Sequence, residues 1–175
     1  MAQTHVAATE INYPVASNIL SNLTSNATRT VGFAGLVVGV LDATAGVIVY
    51  TGILRRFSVL QVLQWIASGA FGPSAFAGGL SAAAWGVLFH FIIAYVCALV
   101  FFLAYPRVPQ LRGGPIAAGF VYGAAVWAVM NLVVLPLSNV PPAPFEWHVA
   151  AMAVTWHMAL VGVPIAVLTN AYYEA

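Results

Sequence analysis

Residues 80–104 read LSAAAWGVLFHFIIAYVCALVFFLA, twenty-five residues without one Asp, Glu, Lys or Arg. Coiled as an α-helix, such a stretch is about 37 Å long at 1.5 Å per residue, more than the roughly 30 Å of hydrocarbon in a bilayer. A helix also satisfies its own backbone hydrogen bonds, which lipid cannot do for it. Similar runs cover 31–54, 115–137 and 147–170. The expectation is an all-α fold, a polytopic transmembrane bundle of four helices occupying residues 30–175, preceded by a polar N-terminal tail over 1–29.

The composition agrees. Of 175 residues 62% are hydrophobic and only 5% charged, with a mean hydropathy of +0.96. Water-soluble domains carry about 25% charged residues, so lipid is the solvent for much of this surface. A net charge of +1 offers no electrostatic footprint for nucleic acid. All five basic residues are arginine, which with abundant Ala, Gly and Val fits a GC-rich bacterial genome. The single Cys97 allows neither an intramolecular disulfide nor a CxxC motif. The first 29 residues lack the basic start and apolar core of a cleavable signal, and their two glycosylation-like sequons, at Asn22 and Asn26, carry no meaning in a bacterial protein.

Local signals bound the runs. Thr30 suits an N-cap for the first span, Arg55 and Arg56 close it, and Tyr105-Pro106 closes the second. Pro115 opens the third as a first helical residue. A Pro-rich turn over 138–144 precedes the fourth. Trp147, Tyr105, Tyr172 and Tyr173 fall at span ends, where aromatic rings favour the headgroup layer. Residues 57–79 begin helix-like and end in GAFGPSAFAGG, which predicts an interfacial helix or re-entrant segment between the first and second spans. Arginines at 29, 107 and 112 outnumber those at 55 and 56, so the positive-inside rule favours cytoplasmic termini in a bacterial inner membrane.

Ionisable side chains inside hydrocarbon are costly and turn toward other helices. Asp42, His90 and His157 stand near mid-span at similar predicted depth. Gly32, Gly35, Gly39, Asp42 and Gly46 make one stripe; Ala83, Gly86, His90, Ala94 and Cys97 a second; Ala150, Ala153, His157 and Pro164 a third. On the third helix Ala117, Ala124, Ala128 and Asn131 share a face. Small residues permit close helix approach, so these stripes mark packing faces. Asp42, His90, His157 and Asn131 are therefore the candidates for a ligand or proton site. A buried Asp–His contact can equally do no more than fix helix register. His90 and His157, on helices of the same direction, are candidate axial ligands for a haem b; Asp42 beside a histidine can carry a proton or cation; the same three are candidate oxygen and nitrogen donors for a metal, though they specify no particular one. Pro164 frees a carbonyl one turn earlier as a further ligand. His148 lies about 180° from His157 and belongs with Glu146 and Trp147 to a solvated edge, His5 lies in the tail, and Gly119-x-x-x-Gly123 is a packing motif of low specificity. Asp42 then His90, and Asn131 then His157, hint at a duplicated two-helix unit.

Gly32-Phe33-Ala34-Gly35, Phe76-Ala77-Gly78, His90 with the aromatic run to Tyr105-Pro106, Gly119, Pro136-Leu137, Pro141-Pro142 and His157 together resemble, over about 31–170, small bacterial inner-membrane proteins of the YagU-like type. That resemblance implies a multi-span membrane protein, with acid tolerance suggested for some relatives and no established catalysis; Asp42 has no match in the pattern. With no nucleophile–base pair, phosphate loop or zinc motif, an enzyme is not expected. Two classes follow: a non-catalytic accessory or packing subunit of a larger membrane complex or homo-oligomer, or a small haem-binding or proton/cation-handling protein.

Overall fold

A computed structural model describes residues 13–174, with side chains from Asn26 onward; His5 and the start of the polar tail lie outside them. Five helices account for most of the described chain: α1 (Tyr13–Val47), which widens into a π-helical end at Ile48–Ile53; α2 (Val59–Phe71); α3 (Gly79–Ala104); α4 (Pro115–Leu137); and α5 (Trp147–Tyr173). No strand occurs among the described residues. Among the described residues four segments are long and apolar enough to cross a membrane, Asn26–Ile53 of α1 and the whole of α3, α4 and α5. This is the helix content of a multi-pass membrane protein, with ends close to those expected.

The first helix starts earlier than Thr30. It is continuous from Tyr13, with Pro14 in the first turn, where a helix needs no N–H. Thr30 is consequently not an N-cap: its hydroxyl donates to the Asn26 carbonyl four residues back, 3.0 Å away. Ser, Thr and Asn favour caps and turns because they compete for the backbone, but no glycine or proline interrupts residues 15–31, and the apolar span beyond propagates the helix backward through them.

Helix α5 is the hub, touching α1, α3 and α4, and α1 also lies along α3. Ala34 and Val38 of α1, Ala94, Ala98 and Phe101 of α3, and Val161, Ile165 and Ala166 of α5 are buried together. Tyr105, at the end of its span, belongs to this core at 1% exposure: its hydroxyl donates to the Asn170 side-chain oxygen Oδ1 at 2.7 Å and its ring stacks on Tyr173.

Helix α4 meets α5 through glycine. A methyl group on Gly119 would sit 2.6 Å from Val163 Cα, and one on Gly123 2.6 Å from Met158 Cα; Gly162 of α5 faces both glycines in return. The packing face of α4 is therefore Ala118, Gly119 and Gly123, not the Ala117–Asn131 stripe: Ala117 is exposed. Alanine stripes are plentiful here, and the pair that allows backbones into contact wins.

Two prolines explain two irregularities. Pro136 and Pro164 each lack an N–H, and each ring crowds the carbonyl four residues earlier. Just ahead of them the helices open into π-turns, Met130–Val134 and His157–Gly162, which widen the coil where the regular bond is missing.

Helix α2 lies against the opening turns of α3. Gly86 leaves room for the Leu63 carbonyl group and the Ala67 nitrogen, Gln64, 3% exposed, donates to the Gly79 carbonyl at 3.1 Å, and Asn139 ties the turn after α4 to Gly69 and Ala70. A Ser58–Gln61 capping box starts this helix. Nearby, Arg56 makes a two-pronged ion pair with Glu146, at 2.5 and 2.7 Å, joining the end of α1 to the start of α5.

Candidate functional site

Asp42 (α1), His90 (α3) and His157 (α5) converge between three helices. His90 Nδ1 is 4.0 Å from Asp42 Oδ2, and His157 Nε2 is 3.7 Å from Asp42 Oδ1. The shared depth and the inward faces read from the sequence both hold. The carboxylate side chain is 24% exposed and the imidazoles 14% and 15%, so the cluster is sheltered without being sealed.

Local sequence puts each group in place. Gly39, one turn before Asp42, has no side chain to obstruct α3: a methyl there would meet the Phe91 ring at 2.6 Å. His90 reaches across this gap, and its Nε2 lies 2.8 Å from the Gly39 carbonyl oxygen. His157 begins the π-turn of α5, and its Nδ1 lies 2.7 Å from the Ala153 carbonyl, which also accepts the His157 backbone N–H.

These contacts fix the tautomers. A carbonyl oxygen only accepts, so the ring nitrogen beside it must carry the hydrogen. His90 is then the Nε2–H form and His157 the Nδ1–H form. In a neutral imidazole the other nitrogen is a bare lone pair, and in both histidines that nitrogen faces Asp42. When both rings are neutral and the carboxylate is ionised, two lone pairs and a carboxylate point at one another, an arrangement of acceptors that a shared positive charge would relieve. Among the described residues no group of three His, Cys, Asp or Glu is arranged to hold a metal ion.

One donor reaches the cluster. Trp156 Nε1–H donates to Asp42 Oδ1 at 2.8 Å, its ring stacked on His157 at 5.5 Å and edge-on to Tyr50 at 6.5 Å. The sequence reading missed it. The available signal was a tryptophan in mid-span, far from the membrane edge, whose indole N–H needs a partner when sheltered from water.

Asn131 is not brought to this site. Its side chain is exposed and donates to the Trp127 carbonyl of its own helix at 2.9 Å. It lies on the Ala117 face of α4, away from the Gly119–Gly123 face on which α5 docks. Cys97, two turns along α3 from His90, has its own carbonyl held by the Tyr122 hydroxyl at 2.7 Å. His148 stands apart, 3.5 Å from Glu146 at the Arg56 end, as its phase on the helix indicated. Two cavities, of about 220 and 190 Å³, are lined by Phe71, Ser74 and Trp85 and by Tyr105, Arg112 and Glu174, away from the cluster.

No protein-family model, curated protein or solved structure matches this chain.

Proposed function

We propose that the chain is a small multi-pass protein of a bacterial inner membrane that takes up and releases a proton at Asp42, between His90 and His157. One observation carries the reading. Both histidines commit one ring nitrogen to a backbone carbonyl, Gly39 for His90 and Ala153 for His157, and so turn the other nitrogen, a bare lone pair in the neutral ring, to the carboxylate. A proton added to either imidazole turns an acceptor facing an acceptor into an ion pair with Asp42, across 4.0 Å from His90 or 3.7 Å from His157. Imidazole is the side chain whose chemistry best suits proton exchange near neutral pH.

The same geometry favours a proton over haem b. The open, unhindered Nε2 of His90 already donates to Gly39, leaving Nδ1, the nitrogen crowded by its own side chain, to face inward. The YagU-like resemblance is compatible with this reading through the acid tolerance suggested for some relatives; it covers His90 and His157 but not Asp42. In this arrangement α2 is an interfacial helix, the N-terminal segment and Glu174 lie on the cytoplasmic side with Arg107 and Arg112, and Arg55 and Arg56 face outward.

The test is proton movement into liposomes containing the purified protein, driven by a potassium diffusion potential and read by an internal pH dye. Wild-type protein is expected to acidify the lumen faster than empty liposomes, and Asp42→Asn to abolish the excess. A wild-type rate equal to that of empty liposomes, or an unchanged rate in Asp42→Asn, overturns the reading.

A second reading, an accessory subunit of a membrane complex, has its own support. Helix α1 continues from Asn26 back to Tyr13, about 20 Å of Ser-, Thr- and Asn-bearing helix beyond the span, a length suited to a partner. A stoichiometric companion retained through gentle solubilisation favours it; a solitary chain of monomer mass speaks against it.

A further inference from the structure

The two oxygens of Asp42 are not equivalent. Oδ1 accepts the Trp156 indole N–H at 2.8 Å and also faces His157 Nε2 at 3.7 Å. Oδ2 receives no hydrogen bond from any described residue and faces His90 Nδ1 at 4.0 Å. The titratable groups around the carboxylate are His90 and, farther away, Cys97 from α3, and His157 from α5.

We infer that the exchanged proton is held on His90 Nδ1, which faces Asp42 Oδ2 across 4.0 Å, and that Trp156 is the positioning residue that decides this by occupying Oδ1. The inference rests on the proton-handling reading and names which histidine serves it. An indole N–H donates and never accepts, and it gives up no proton in the working range of histidine. Its bond to Oδ1 therefore persists whatever the state of the imidazoles. A proton arriving on His157 Nε2 has to share Oδ1 with the indole; one arriving on His90 Nδ1 meets an oxygen with both lone pairs available.

The indole cannot easily swing away. One face is stacked on the His157 ring, with 26° between planes, and Tyr50 meets it edge-on at 82°. An aromatic face also attracts an imidazolium, a pull toward His157 that opposes the hydrogen-bond argument. The two histidines are therefore compared directly. Trp156→Phe is the informative variant because it keeps an aromatic ring against His157 and deletes only the N–H.

The experiment is a pH titration of the liposome-embedded full chain by ¹⁵N NMR, with histidine label assigned through His90→Gln and His157→Gln. In wild type, Nδ1 of His90 is expected to gain its proton at higher pH than Nε2 of His157. In Trp156→Phe, His157 should bind its proton roughly tenfold more tightly, the order of one hydrogen bond to a charged group, while His90 changes by less than threefold. Protonation of His157 first in wild type overturns the inference, as does an unchanged His157 in Trp156→Phe. Should that variant fail to fold, the wild-type order alone decides. If neither histidine takes up a proton between pH 4 and 9, it is the proton-handling reading that fails.

Discussion

Replacing Gly123 by alanine tests the packing that holds His157 in position. The added methyl would lie 2.6 Å from Met158 Cα and 2.7 Å from the His157 carbonyl carbon. Carbon atoms rest comfortably at about 3.5–4.0 Å, so α4 and α5 must part by roughly 1 Å at this point. The obstacle is backbone, which cannot rotate aside as a flexible side chain would. Forcing a methyl into a packed seam costs about 1–3 kcal/mol. Alanine returns roughly 0.5–1 kcal/mol of that through its better helix propensity, which leaves a net loss centred on about 1 kcal/mol and no larger than about 2.5 kcal/mol. Gly46→Ala is the matched control: nothing lies within 4 Å of its methyl position, so only the propensity gain remains and the variant is expected to equal or exceed wild type. Unfolding of both variants in bicelles by SDS titration, followed by circular dichroism, gives the comparison. Equal stabilities for Gly123→Ala and wild type would refute the close-approach argument, as would equal damage from the two substitutions.

Three further outcomes are expected. The Arg56 guanidinium, hydrogen-bonded to Glu146, holds that carboxyl below the ordinary carboxylate range; a lowered folded-state value means the stabilisation is present at neutral pH and lost as acid protonates Glu146, below roughly pH 4. Thermal denaturation should therefore show an acid limb that flattens in Arg56→Gln and in high salt, and identical pH profiles for both proteins would contradict the pairing. Tyr105→Phe should cost about 1–2 kcal/mol, since it strands the Asn170 oxygen beside a fully buried ring; in an Asn170→Ala background the same change should cost markedly less, and equal costs would show that the bond is immaterial. Gly86→Val should lift α2 from α3, because even a single methyl meets the Leu63 carbonyl carbon at 2.8 Å; a cysteine introduced at the buried Ala67 should then react with maleimide, and continued protection would refute the docking.

The sequence revealed the spans and the site for the same reason. Where 5% of residues are charged, each ionisable group in mid-span is conspicuous, and the need to keep Asp42, His90 and His157 out of lipid determines which helix faces meet. Residues whose role depends on which of two small-residue faces a neighbour chooses were not legible. Asn131 shares a face with Ala117 and Ala128, but α5 docks on the Gly119–Gly123 face instead and leaves Asn131 exposed. Trp156 carries no mark in the sequence beyond an indole in mid-span, since the helical phase that puts His157 toward Asp42 says little about the indole beside it. Gly119 and Gly123 were visible as a motif, but only the backbone of α5 against them distinguishes a used glycine pair from the unused Gly32 and Gly46. The start of α1 was hidden because capping preferences of Thr30 are weak beside the cooperativity of a long helix.

Proton exchange at Asp42 requires that neutral His90 and His157 present their bare nitrogens to one carboxylate. Histidine ¹⁵N NMR of the membrane-embedded protein at alkaline pH, where both rings are neutral, tests this without any variant or ligand. The expected result is a pair of opposite tautomers, Nε2–H at His90 and Nδ1–H at His157, each hydrogen on the nitrogen turned to a backbone carbonyl. The same tautomer at both positions would contradict the account, since one ring would then turn its N–H to Asp42 and the facing lone pairs would be gone.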